Sequence, residues 1–231
     1  MKRDYRINPL QLMKNILAID TCTEVCSVSL YTQSHKTSRF IKDVAKSSGL
    51  ILPLCDEVLN ETGLCIQDLD LIVYTKGPGA FTGVRMCISV VQGMSLAFDI
   101  PTLGFSTLAV VGYGASQKFK TNKIAVCLDA RMNEVYWGVY ENNNLIDEAI
   151  LKPESAPQLG VDYIGVGTGW GVYQQALSSS TGVSNYQSDF YPKAENLIEM
   201  ALIHISNKQP MDGHLPLPTY LRNNVAKKSL K

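Results

Sequence analysis

The chain is poor in the residues and spacings that usually mark a catalytic centre. Among 231 residues it has three histidines, His35, His204 and His214, too far apart to converge on one metal by helical spacing. No HExxH, GxSxG, Walker Gly-Lys-Ser/Thr or GxGxxG run occurs, so zincin, serine-hydrolase, P-loop and dinucleotide signatures are all missing. Neither sign of charge dominates, since Lys+Arg and Asp+Glu both number 21. That balance leaves no general electrostatic footprint for nucleic acid or an anionic membrane. Only the tail, with Arg222, Lys227, Lys228 and Lys231, gathers positive charge, and a solvated end accounts for that better than a binding arm. The six cysteines, at 22, 26, 55, 65, 87 and 127, form no CxxC pair; in apolar runs a free thiol behaves as a small hydrophobe. With no signal-like leader, a reducing cytoplasm is the expected setting. No apolar run reads as long and charge-free enough to span a bilayer, so no membrane partner is expected.

What remains is ordinary globular composition, 45% hydrophobic and 18% charged, enough for two small lobes or one large domain. The start, "MKRDYRINPLQLMKN", is polar and irregular, and Met13 is a candidate functional start. From there two halves rhyme. "ILAID" reads as a strand ending in Asp20, a polar turn follows, and "VCSVSLY" alternates as a return strand. About 110 residues later "IAVCLD" ends in Asp129 and "EVYWGVYE" returns. "DLDLIVY" then runs into "TKGPGAF" as "VDYIGV" runs into "GTGWGVY". This order predicts a duplicated α/β unit; chance likeness of two hairpins is the plainer alternative. The expected division is a loose extension at 1–12, a first lobe at 13–107, a second at 108–205 and a tail at 206–231.

Two such lobes facing each other give the architecture of actin-like ATPases and sugar kinases, in which paired hairpin turns hold phosphate groups. Those turns usually need glycine after the Asp, so that backbone can approach phosphate closely. Here Asp20 is followed by Thr21-Cys22-Thr23 and Asp129 by Ala130-Arg131-Met132. A degenerate cleft around Asp20, Thr21, Thr23, Asp129 and Arg131 stands beside a working one, with Arg131 filling the place of a phosphate.

"KGPGAFTGVRMCISVVQGMSLAF" is the most unusual stretch. Gly77-Pro78-Gly79 suits a type II turn, with Gly79 supplying the positive φ, and Thr82 suits a helix cap. Free amides there suit an anion, although a tight strand-to-helix connection explains the glycines equally. On the helix, Val84, Cys87, Ile88, Val91, Met94 and Phe98 form one apolar set. Gly83, Met86, Val90, Gly93 and Ala97 form a second, smaller-residue set beside it. Together they cover about 220° of circumference against the ~100° needed for one-sided packing. The preceding segment from Ser47 or Ser48 to Gly63 shows a similar stripe of Leu50, Ile51, Leu54, Cys55 and Val58. A helix-pair docking face for another chain is one reading; burial within this chain is the other.

"ILAIDTCTEVCSVSLY", "GPGAFTGVR", "LDARMNEVYWGVYE", "GTGW" and "YLRNNVA" together resemble the TsaB family from Met13 to Ala226. The resemblance implies a two-lobed actin-like α/β fold with mixed sheets flanked by helices. It further implies a non-catalytic subunit of the system that installs N6-threonylcarbamoyl on adenosine 37 of tRNAs reading codons that begin with adenine. Its partner would be the catalytic paralogue TsaD, joined by the ATPase TsaE. TsaC or a relative would supply threonylcarbamoyl-AMP, and ATP and Mg would be used by the complex rather than bound by this subunit. TsaD carries an HxxxH metal pair; the matching stretch here, "GFSTLAVVG", has no histidine. The implied partner interface is Leu50, Ile51, Leu54, Cys55, Val58, Met86, Val90, Gly93, Met94 and Ala97, which would also support a homodimer when the chain is alone. The alternative is an independent actin-like ATPase using Asp20 and Asp129 as magnesium-water ligands. A glycoprotease would need a metal or an activated nucleophile that no motif provides.

Overall fold

A computed structural model describes residues 13–42, 49–211, 213 and 215–222. The first lobe begins with β1 (Ile16–Asp20), β2 (Val25–Tyr31), β3 (Lys36–Lys42), α1 (Ile51–Thr62) and β4 (Leu71–Thr75). It continues with α2 (Phe81–Phe98) and β5 (Thr102–Phe105), after which helix α3 (Thr107–Phe119) crosses to the second sheet. The second lobe comprises β6 (Ile124–Asp129), β7 (Val135–Glu141), β8 (Asn144–Leu151), β9 (Ile164–Val166), α4 (Thr168–Thr181) and β10 (Asn185–Gln187), and α5 (Ala194–Ser206) follows. The two five-stranded sheets have orders β3-β2-β1-β4-β5 and β8-β7-β6-β9-β10. Each strand of the second therefore occupies the place of the strand five earlier in the first. The antiparallel hairpins β1–β2 and β6–β7 correspond, as do the parallel pairs β1–β4 and β6–β9. This is the two-lobed actin-like fold.

Alternation along β1 explains the layers. Leu17 and Ile19 face the cluster built with α1 and α2, while Ile16 and Ala18 face the one built with α5. Strands covered on both faces read as unbroken apolar runs, as "ILAI" and "LIVY" do. In the second lobe α4 brings Trp170 against Trp137 on one sheet face. On the other face α3 packs Leu108 and Val111 against Val126 and Tyr140.

Two expectations change here. Helix α5, grouped by sequence with the second lobe at 108–205, packs instead on β1, β2 and β4 of the first. The face carrying Ile16, Ala18, Leu71 and Val73 needs a cover, and Ala194, Leu197, Ile198, Ala201 and Ile205 supply it. Second, α2 does have the length and composition to cross a bilayer, 18 residues at mean hydropathy 1.3. It lies on the first sheet, with Val84, Cys87, Ile88, Val91 and Met94 in the core. The 1–12 extension, the Ser47 or Ser48 cap, His214 and the lysines of the tail lie outside the described residues.

Candidate functional site

A cavity of about 790 Å3 lies between the lobes. Its walls are the β1–β2 turn (Cys22, Thr23, Glu24), the start of α2, the β6–β7 turn (Asp129, Ala130, Arg131) and residues 219–222. The topology thus brings together the two duplicated turns that the sequence singled out.

Their chemistry is inward-looking. Asp20 is fully buried and is not among the cavity-lining residues. Its Oδ1 accepts from Thr75 Oγ1 at 2.5 Å and from the Cys22 amide at 3.2 Å, while Oδ2 has no partner. Burial raises its pKa to about 7, outweighing those two hydrogen bonds, which pull it down. Thr21 is buried too, its Oγ1 donating to Gly83 O at 2.8 Å. Thr23 lines the cavity with an unpartnered, buried Oγ1. Across the cleft, Asp129 Oδ2 pairs with Arg131 Nη1 at 3.2 Å, and its Oδ1 accepts the Arg131 amide at 3.0 Å. Arg131 therefore sits on the cleft carboxylate of its own turn.

The glycine-rich loop is built for contact with the β1–β2 turn. A Cβ on Gly79 would lie 2.0 Å from Cys22 O, and one on Gly83 2.0 Å from Thr21 O. The Ala80 amide donates to Cys22 O at 2.7 Å. The expected type II turn does not form: the Gly77–Pro78 bond is cis and the positive φ, 95°, belongs to Gly77. Gly79 is glycine because a carbonyl presses against it. Nor does Thr82 cap α2. The helix starts at Phe81 with Ala80 as its N-cap and no side-chain cap, because the Cys22 carbonyl already fixes the Ala80 amide. Packed backbone at this turn leaves the cradle a poor fit for phosphate.

The stripe assigned to a docking face divides in two. Ile51, Leu54, Cys55, Val58 and Met94 are buried in their own core, and Leu50 packs against it as the N-cap of α1. The sheet face of Leu17, Ile19, Val28 and Tyr74 takes up α1's apolar stripe, so those side chains are not free surface. On α2, by contrast, Met86 and Val90 are half-buried, and Gly93 and Ala97 are exposed. A methyl added to Gly93 would meet nothing within 4 Å. Phe81, Leu96 and Phe98 are large apolar residues on the same helix, 49%, 67% and 45% exposed.

Sequence reasoning missed the part played by 219–222. Arg222 was read only as tail charge, yet it donates to Ala130 O at 3.1 Å and pairs with Glu134. The run "YLRNNVA" was the available signal. Among the described histidines, His35 is exposed and His204 Nε2 lies 2.8 Å from Pro210 O. No group of three His, Cys, Asp or Glu side chains among the described residues is arranged to hold a metal ion.

A duplicated actin-like chain with an inter-lobe cleft and an open apolar helix face is the class these features define. Residues 44–230 match the profile described as "TsaD: tRNA N6-adenosine threonylcarbamoyltransferase". The protein named "tRNA threonylcarbamoyladenosine biosynthesis protein TsaB" from Escherichia coli is 36% identical, covering 93% of this chain and 97% of its own. The Haemophilus influenzae protein of that name is 32% identical, over 93% and 96%. A solved structure titled "YeaZ from Pseudomonas aeruginosa" superposes at TM-score 0.81 with 33% identity, covering 90% of this chain and all of that one. The chain belongs to the TsaB family.

Proposed function

We propose that this chain is a non-catalytic subunit in tRNA threonylcarbamoyladenosine biosynthesis that docks to TsaD through α2 and activates it. The observation carrying this reading is the open strip of Met86, Val90, Gly93 and Ala97 beside exposed Leu96 and Phe98. Exposed apolar patches of this kind mark contact surfaces, and small residues let helix axes approach closely. The strip comes from α2 alone, since α1 turns its stripe inward. In this reading TsaE joins the pair, TsaC or a relative supplies threonylcarbamoyl-AMP, and tRNA is met through the complex in the cytoplasm. Left alone, the same strip supports a homodimer.

The reading as an independent ATPase needs Asp20 and Asp129 to face each other across the cleft. Asp20 is sealed beneath Thr75 and Cys22, and Asp129 is held by Arg131. ATP and Mg therefore belong, in this reading, to the partners.

Gly93→Trp should abolish capture of TsaD while leaving the thermal midpoint of the isolated chain within a few degrees, because the space above Gly93 is empty. Capture at wild-type level by the folded variant would sink the docking face.

A further inference from the structure

Residues 215–222 carry no regular structure and run from the first lobe to the second. Just ahead of them, Gly213 O accepts from the Thr102 amide at 2.9 Å, at the edge strand β5. Pro216 O accepts from Gln92 Nε2 at 2.8 Å on α2, and the Thr219 amide donates to Lys76 O at 2.7 Å. Arg85 Nε donates to Tyr220 OH at 3.2 Å, and the Tyr220 ring lies 6.4 Å from that of Phe81. All these anchors belong to the first lobe.

The segment then crosses. Arg222 Nη2 donates to Ala130 O at 3.1 Å and Arg131 O at 3.4 Å, and it pairs with Glu134 Oε2 at 2.5 Å. Its Nη1 lies 3.4 Å from Met132 Sδ. The turn it grips is unusual: Arg131, Met132 and Asn133 have φ of 62°, 57° and 59°. Consecutive left-handed residues with side chains are unfavourable and persist only where the surroundings hold them. A guanidinium fork matched to carbonyls and a carboxylate is such a hold. The same four residues, Thr219 to Arg222, line the inter-lobe cavity. Elsewhere along that cavity Tyr136 OH donates to Gly79 O at 3.4 Å.

We infer that residues 219–222 form a latch, with Arg222 as its bolt, that sets how far the two lobes open over the cleft. The connections between β5 and α3 and between β10 and α5 are the pivots about which a released pair of lobes turns. This inference does not depend on the docking reading, because it concerns the isolated chain.

The experiment uses the full chain with Ser179→Cys on α4, spin-labelled there and at the native exposed Cys65; the other five cysteines are buried. Double electron–electron resonance reads the distance between lobes. Arg222→Ala should shift the distribution to longer separations and broaden it. Glu134→Gln, which removes the ion pair but keeps the carbonyl contacts, should give a smaller shift in the same direction. An unchanged distribution in folded Arg222→Ala overturns the latch, even if the Ala130 and Glu134 amides exchange faster, since Arg222 then only staples the β6–β7 turn. Should Arg222→Ala fail to fold by circular dichroism, Glu134→Gln decides alone: a shift supports the latch and no shift overturns it.

Discussion

Burial keeps the Asp20 carboxyl protonated up to a pKa of about 7, against 3.8 for an unperturbed one. An unfolded chain releases that proton near pH 4, whereas the folded chain retains it until about pH 7. Stability from this group is therefore complete below pH 4 and is lost as pH rises to about 7, above which the loss is constant. At 1.36 kcal/mol per pH unit the gap amounts to about 4 kcal/mol. Asp20→Asn removes the charge while keeping an acceptor for Thr75 and the Cys22 amide. The variant should gain urea resistance over wild type at pH 8, and the gain should shrink sharply at pH 4.5. Equal differences at both pH values would mean that Asp20 is not the titrating group. An Asp closing a strand before a polar turn was legible in the sequence. Its burial was not, because that depends on Thr75, 55 residues away.

Within α2, two glycines ten residues apart should respond oppositely to the same change. Gly83→Ala places a methyl 2.0 Å from the Thr21 carbonyl, where only backbone can yield, and should cost about 3 kcal/mol or more. Gly93→Ala meets open space and should gain about 0.5–1 kcal/mol from lower backbone entropy in the unfolded chain. Denaturant midpoints of the two variants decide this; a shared sign would contradict the packing described. Periodicity located both helices and the hairpins β1–β2 and β6–β7, because each has a face that must be buried. It could not say what covers a stripe, so α1's inward set of Leu54, Cys55 and Val58 was read together with α2's outward one. The edge strands β3 and β8 escaped notice: the first is largely exposed and the second mostly half-buried, and their sequences, KTSRFIK and NLIDEAIL, show no clean two-residue period. The cis bond at Gly77–Pro78 left no local trace, and the run "YLRNNVA" could not show that Arg222 grips Glu134, 88 residues away.

At the scale of the molecule, the repeated sheet order bears out the duplication read from two rhyming hairpins, since strand five of each half lies beside strand four in the same sense. The halves are nonetheless unequal. The second is covered by its own α4 and by α3, but the first borrows α5, the last helix among the described residues, to cover Ile16, Ala18, Leu71 and Val73. During synthesis the opening strands must then wait with one oily side bare until residue 205 has left the ribosome. A nascent chain halted before Ala194 presents that side to chaperones or to other chains. Stop codons placed after residue 190 and after 210 should accordingly separate insoluble from soluble product in expression lysates, although both polypeptides contain every strand of both sheets.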